Sequence, residues 1–285
     1  MSEETGHLYV VSTPIGNMGD FSFRAVDVLR SVRLVLAEDT RHSRTLLTRY
    51  AIETPMASYH EHNEAKSTPA LVERLRAGED LALISDAGTP LLSDPGQRLV
   101  RAAIDAGAPV IPVPGASALL AAVVASGLDA DRFTFFGFLP RRGKERSAAL
   151  DEIASLAHTA ILYEGPSRVA ESLRELAERA GDRPAVVARE LTKQFEEVQR
   201  GTLRSLSAYY SDTPPRGEVV ILIAGALPSA PDEHRMQDEA RALRSEGMSV
   251  RDVAAHLTRQ GAPRNLAYRV AKDADSGPRT VGTDE

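Results

Sequence analysis

The residues able to do chemistry are concentrated in loops that follow apolar runs of strand length. STPIGNMGD (12–20) follows LYVV (8–11), and LAEDTRHS (36–43) overlaps the end of RLVLA (33–37). DAGTPLLSDPG (86–96) follows LALIS (81–85). The first loop is neither GxGxxG nor a Walker A sequence, since no Gly-Lys-Ser/Thr follows, so it does not indicate a phosphate cradle. Its glycines either let backbone approach a ligand closely or simply turn the chain. The third loop holds two Asp, two Pro and two Gly without the DxDxDG spacing of a calcium site. Rigid carbonyls and carboxylates of this kind suit ribose hydroxyls, an amino group or a cation, and a surface turn is the plain alternative. In LAEDTRHS, Glu38, Asp39 and Arg41 lie just past a strand, and Asp39 or Thr40 either caps the next helix or takes part in chemistry. His60 and His62 in SYHEHNE (58–64) stand two apart with no evident third ligand, so a metal is not expected there. His62, Asn63 and Glu64 remain polar groups for a substrate or for solvent. FLPRRGKER (138–146) sets Arg141, Arg142, Lys144 and Arg146 against Glu145 just after a strand, which suits phosphate contacts or a solvated surface.

The elements that must position these loops alternate. PVIPV (109–113), FTFFGF (133–138), AILYE (160–164), AVVARE (185–190) and EVVILIA (218–224) are further strand candidates. Helices are expected over 22–31, 41–50, 66–77, 96–106, 117–126, 146–156, 167–180 and 202–210. Continuous rather than alternating apolar strands between helices predict an α/β fold with mainly parallel sheets. VPGASALLAAVVASG (113–127) reads as a hinge between two α/β halves, with Pro112 and Pro114 stopping a strand. ALPSAPDEH (226–234) reads as a linker, followed by a helical tail to about Ala274. At 285 residues, about two domains are expected. With no Cys there is no disulfide, thiolate nucleophile or cysteine-held metal, which suits a reducing cytoplasm. The acidic start and the lack of a long apolar stretch predict a soluble chain with no secretory signal. A net charge of −6 argues against coating nucleic acid by charge alone. The tail departs from this balance: residues 247–272 hold five Lys and Arg against one Asp, in a helix–Gly turn–helix pattern.

LYVVSTPIGNMGD, AEDTR, ISDAGTPLLSDPG, PVPGASALLAA, FFGFLPRRGKER, ILYEGPSRV, RELTKQFEEVQRGTL and GEVVILI occur in this order across residues 8–223. Together they resemble the RsmI family of bacterial 16S ribosomal RNA (cytidine-2′-O)-methyltransferases, of the tetrapyrrole-methylase fold class. Met18 and Phe21 are slight departures, standing where Leu and an aliphatic residue are expected. The resemblance implies an α/β domain over 1–114, a second over 115–228 with S-adenosylmethionine in the cleft between them, and a helical module over 232–276. It also implies a cytoplasmic homodimer acting on 16S rRNA within the small ribosomal subunit, at a decoding-centre cytidine, with no metal and no membrane. By the same resemblance, Thr13, Pro14, Ile15 and Gly16 line the cofactor. Gly88, Thr89 and Pro90 take the place of a Gly-Asp-Pro motif, with Leu92 shortly after, and Asp86 substitutes for the carboxylate that Thr89 lacks. Ser117 and Ala118 touch the cofactor at the hinge, Tyr163 and Glu164 face it from the second half, and GEVVILI closes the adenine side.

Methyl transfer to oxygen is a direct displacement, so holding nucleophile, methyl and sulfur in line supplies most of the catalysis. The candidates are Asp39 as acceptor or orienter, Arg41 and Lys144 as phosphate holders, and Glu164 or Lys193 from the second half. The tail is expected to contact rRNA phosphates or, alternatively, to brace a dimer. A corrin-precursor methylase and a ligand-sensing helix-turn-helix regulator are the competing readings. The basic run and the tail weigh against the first, and the long cleft-forming body against the second.

Overall fold

The structure is a computed structural model, and it describes residues 5–226 and 233–274. The continuous apolar runs of the first half form one parallel sheet. β1 (Leu8–Val11), β2 (Leu34–Ala37), β3 (Met56–Ser58), β4 (Leu81–Ile84) and β5 (Val110–Val113) lie in the order β3-β2-β4-β1-β5. Successive residues point to opposite faces. Val11, Val35, Ala82 and Ile84 pack with α1 (Phe23–Ser31) and α2 (Thr40–Arg49). Leu8, Leu36, Leu81 and Leu83 pack with α3 (Glu64–Arg76) and α4 (Gln97–Asp105). Both faces are covered, which is why these strands carry no polar alternation. Because the strands are parallel, the loops after β1, β2, β4 and β5 all leave from one edge.

The second sheet departs from the expectation of mainly parallel strands. β6 (Phe133–Phe138), β7 (Thr159–Glu164), β10 (Val219–Ile223), β8 (Pro184–Arg189) and β9 (Glu197–Thr202) form it in that order. Only β6 and β7 pair in parallel, since β10 inserts antiparallel between β7 and β8, and β9 pairs antiparallel with β8. The pattern of buried residues could not reveal this, because β10 is covered on both faces whichever way it runs. On one face Leu162, Val187 and Ile221 pack against α6 (Lys144–Ser155), α7 (Val169–Ala180) and α8 (Leu203–Asp212). On the other, Ile161, Val186, Val220 and Leu222 meet α5 (Ala118–Ser126) and Ile15 from the first half. The boundary expected at 114/115 falls in the interval between β5 and α5, inside a single compact unit that runs to Gly225.

The two unpredicted strands, β3 and β9, are both sheet edges. β3 has three residues, and β9 (EVQRGT) is polar and only partly buried. Pro112 does not stop β5, which runs through it to Val113; a proline is tolerated because β5 is the opposite edge.

A second compact unit begins at Ala226. Most of the expected linker, residues 227–232, lies outside the described residues, as do residues 275 and 276 of the expected module. α9 (Glu233–Ser245), α10 (Val250–Arg259) and α11 (Arg264–Asp273) enclose their own core of Met236, Ala240, Val253, Leu257, Ala267 and Val270. Ser249 caps α10, and the turn into α11 passes through Gly261 at φ +99°. The helix–Gly turn–helix pattern is thus present.

Candidate active site

The loops at the common edge of the first sheet are tied to one another by backbone. Thr13 N–H donates to the Gly88 carbonyl (2.8 Å), and Gly88 N–H donates back to Thr13 (3.1 Å). Gly88 accepts this pairing at φ +84°, where a side chain is strained. The Thr13 hydroxyl donates to the Ser85 carbonyl at 3.1 Å. Ser12 donates to Thr89 (3.1 Å), and Thr89 in turn donates to the Ala116 carbonyl (3.1 Å). The loops after β1, β4 and β5 therefore form one rigid rim. Opposite them, the Asn17 N–H donates to the Thr192 hydroxyl at 3.1 Å. A Cβ on Gly16 would lie 2.3 Å from Lys193 Cγ, so glycine is what lets this loop close against the β8–β9 loop.

Between the two sheets lies a cavity of about 290 Å³. The first half contributes Ile15, Asp86 to Thr89 and Leu92 to Asp94, and the segment entering α5 contributes Ser117 and Ala118. The second contributes Phe138, Tyr163 to Pro166, and Gly217 to Val220. An adjoining cavity of about 220 Å³ shares Ile15, Asp86, Ala87 and Glu218 and adds Pro14, Gly16, His42 and Lys193. Ile15, Asp86, Gly88, Thr89, Leu92, Ser117, Ala118 and Tyr163 of the predicted cofactor set thus line the main cavity, while Pro14 and Gly16 line its neighbour. Thr13 lines neither: it is buried, and its polar groups are used in holding the rim. GEVVILI reaches the main cavity through Gly217–Val220.

The predicted catalytic residues separate. Asp39 caps α2 and binds Arg41 through both carboxylate oxygens (3.1 and 2.7 Å). Those hydrogen bonds hold it well below the usual carboxylate range, leaving a weak proton acceptor that lines neither cavity. Arg41 is exposed but occupied by Asp39. Lys144 is exposed at the start of α6 and lines neither cavity. Lys193 lines the smaller cavity and pairs with Glu190 (3.0 Å) and Glu218 (3.2 Å). Glu164 touches the main cavity, but its carboxylate is buried and fully bonded. It accepts from Gly165 N–H (2.7 Å), Ser172 hydroxyl (2.6 Å) and Arg168 Nη2 (2.5 Å). Arg146, read as part of an exposed basic run, turns inward to Ser172, Glu175 and the Pro140 carbonyl. A buried carboxylate needs cations, and helix α6 supplies this one from the interior side of its first turn.

Asp94 is the residue the sequence reading passed over. It lines the main cavity, and burial together with Glu38, Asp86 and Glu218 pushes its carboxyl up to about 6. Burial, then Asp86, likewise raises Glu38. The acidic character of DAGTPLLSDPG was legible; that its second Asp and the Glu of AEDTR converge was not. Two residues of this loop, Leu91 and Ser93, hold left-handed backbone (φ +77° and +70°), a conformation that non-glycine residues adopt where surroundings impose it. Among the described residues no group of three or more His, Asp or Glu is placed to hold a metal.

Two α/β halves meet at their strand ends around a cleft with a carboxylate-rich wall, an arrangement suited to a cationic ligand. Residues 7–207 match the model of the tetrapyrrole (corrin/porphyrin) methylases. Ribosomal RNA small subunit methyltransferase I of Synechocystis is 44% identical over 95% of this chain and 99% of its own length. The Xylella fastidiosa protein of the same name is 48% identical over 92% and 98%. The chain belongs to the tetrapyrrole methylase family and, within it, to the ribosomal RNA small subunit methyltransferase I group. The uroporphyrin-III C-methyltransferase of Thermus thermophilus, solved with S-adenyl homocysteine, shares the fold. Its TM-score is 0.56 at 20% identity, covering 77% of this chain and 97% of that one. The cofactor is S-adenosylmethionine. The wall suits it: Asp86, Asp94 and Glu218 offer negative charge to a sulfonium, and Ile15, Leu92, Tyr163 and Val220 offer apolar surface.

The bonding of Glu164 predicts a structural role. Glu164→Ala leaves Arg168 and Arg146 without their shared carboxylate and should cost about 3–5 kcal/mol in urea unfolding. Unchanged stability with selective loss of turnover would instead assign it to chemistry.

Proposed function

We propose that this chain transfers the methyl group of S-adenosylmethionine to the ribose 2′-oxygen of a cytidine in 16S rRNA of the small ribosomal subunit, in the cytoplasm. What carries the reading is identity of 40–48% with relatives named ribosomal RNA small subunit methyltransferase I. The Synechocystis match covers 95% of the chain and so extends into the helical unit, which a corrin-precursor methylase does not require. Exposed cations support it. Arg141, Arg142 and Lys144 make no ion pair among the described residues and begin three residues beyond Phe138, which lines the cavity. On α11, Arg264, Tyr268 and Lys272 are exposed four residues apart, on one helical stripe, behind which Ala267, Val270 and Ala271 are buried. Such cations fit phosphates, and the aromatic ring adds a stacking surface.

The chain's own residues do the rest of the work. The laced rim and Lys193 fix the cavity floor. The basic loop after β6 holds the RNA backbone, and a carboxylate on the wall receives the hydroxyl proton. Pre-positioning of this kind is worth about 7–11 kcal/mol in favourable models, and base assistance roughly 10²–10⁴-fold. The homodimer is proposed to form over α5, an apolar helix whose Leu120 and Val124 are 54% and 84% exposed, one turn apart.

The primary experiment is transfer of labelled methyl to small subunits lacking the modification, read by nucleoside mass spectrometry, with 2′-O-methylcytidine expected. Cofactor binding without labelled RNA would reject the rRNA substrate. Arg264→Glu with Lys272→Glu should weaken subunit binding at least ~10-fold and flatten its salt dependence, leaving cofactor affinity unchanged; equal loss of both would mark the unit as structural. Val124→Asp should yield monomers in sedimentation, and an unchanged mass would remove α5 from the interface.

A further inference from the structure

Of the carboxylates near the cavity, most are already engaged. Asp39 is bound to Arg41, Glu164 to Arg168, Ser172 and Gly165, and Glu218 to Lys193. Asp86 accepts the Asp39 N–H at 3.0 Å. Glu38 lines neither cavity. Among the described residues, Asp94 is the one carboxylate that lines the main cavity with no cation and no backbone N–H on its oxygens, and the Ser85 hydroxyl favours its charged form. The groups that face it are Glu38 from the end of β2, Asp86 from the loop after β4, Glu218 from the start of β10, and the Tyr163 phenol from β7. His60 lies beside Glu38 rather than beside Asp94 itself.

We propose that Asp94 is the carboxylate that faces the cofactor's positive charge and takes the proton from the attacking hydroxyl. This rests on the reading of the reaction as methyl transfer to a ribose hydroxyl. The 2′-oxygen forms its bond to the methyl carbon, the carbon–sulfur bond breaks with its electron pair remaining on sulfur, and the hydroxyl proton passes to Asp94. One positive and one negative charge vanish together.

The surroundings of Asp94 make this exchange favourable. Burial, and then three neighbouring carboxylates, make its negative charge costly while no cation is present. A cation in the cavity relieves that cost and holds Asp94 ionised, ready to accept. Once the positive charge is gone, the same neighbours raise the proton affinity of Asp94 as the hydroxyl proton must leave. A carboxylate on Arg41, such as Asp39, lacks this property, since its guanidinium stays in place throughout.

The sign of the pH dependence follows. With its folded pKa raised to about 6, Asp94 is largely protonated at pH 5 in the free protein, and a bound cation must displace that proton. The test is calorimetric affinity for S-adenosylmethionine and for S-adenosylhomocysteine from pH 5 to 8, alongside single-turnover methylation of unmodified small subunits, in the wild type, Asp94→Asn and Asp94→Glu. In the wild type, affinity for the sulfonium form should rise ~10-fold from pH 5 to pH 7, with about one proton released, while the thioether affinity stays flat. Asp94→Asn should flatten the sulfonium curve and lower turnover ~10²–10⁴-fold with subunit KM unchanged, and Asp94→Glu should recover part of both. Full turnover by Asp94→Asn, or persistence of the pH-dependent sulfonium affinity in that variant, overturns the proposal. A wild type that shows the pH-dependent affinity but labels no subunit would reject the RNA reading and the hydroxyl as proton source, leaving the pairing of Asp94 with the sulfonium standing.

Discussion

The reciprocal backbone bond between Thr13 and Gly88 is the constraint on which the rest of the site depends. It joins loops after β1 and β4, adjacent strands that run in parallel and release their chains at the same edge. A loop cannot present carbonyls and carboxylates to a ligand unless its own backbone is satisfied, and here it is satisfied by its neighbour. The Thr13 hydroxyl, Ser12, Ser85 and Thr89 extend the lacing to Ala116 on the way to α5. The short polar residues that look available for chemistry in the sequence are therefore the frame, with Thr89 bordering the cavity, and beside them Ile15, Asp86, Leu92 and Asp94 face it.

Electrostatics divides the acidic residues in the same way. Asp39 and Glu164 are charged residues with permanent cationic partners, one a helix cap on the surface and the other a buried anchor for the loop after β7. Glu38, Asp86 and Asp94 repel one another across the strand ends, so that burial and mutual charge raise Glu38 and Asp94. A wall of that kind is poor for phosphate and good for a cation. It matches a cofactor whose reacting centre is a sulfonium, while the exposed cations proposed to hold RNA lie on the loop after β6 and on α11.

The second half shows how a sheet is assembled to serve the site. Insertion of β10 between β7 and β8 brings its start, Gly217–Val220, to the same edge as the ends of β6 and β7. An antiparallel strand thus delivers its N-terminal residues where parallel neighbours deliver their C-terminal ones. α5, following the hinge, covers the free face of this sheet together with Ile15, so a cavity-lining loop of the first half is also part of the second half's core.

The sequence by itself determined most of the elements and the family. Eight of the ten strands among the described residues were legible as apolar runs, and in β2, β4, β7, β8 and β10 burial on both faces is what leaves the run unbroken. β3 and β9 were not, because an edge strand is short or polar and resembles a loop. Strand direction in the second sheet was also hidden, since a fully buried strand has the same composition either way. Much of the cavity lining was legible from motifs, as Ile15, Asp86, Gly88, Thr89 and Leu92 lie on loops whose position follows from their strands. Which carboxylate is free was decided by tertiary structure alone. Charge pairing, burial and hydrogen bonding depend on residues far apart in the chain: Arg146 and Arg168 on Glu164, and Glu38, Asp86 and Glu218 around Asp94. Side-chain type shows that a group is able to ionise; only its neighbours in space set the cost of doing so.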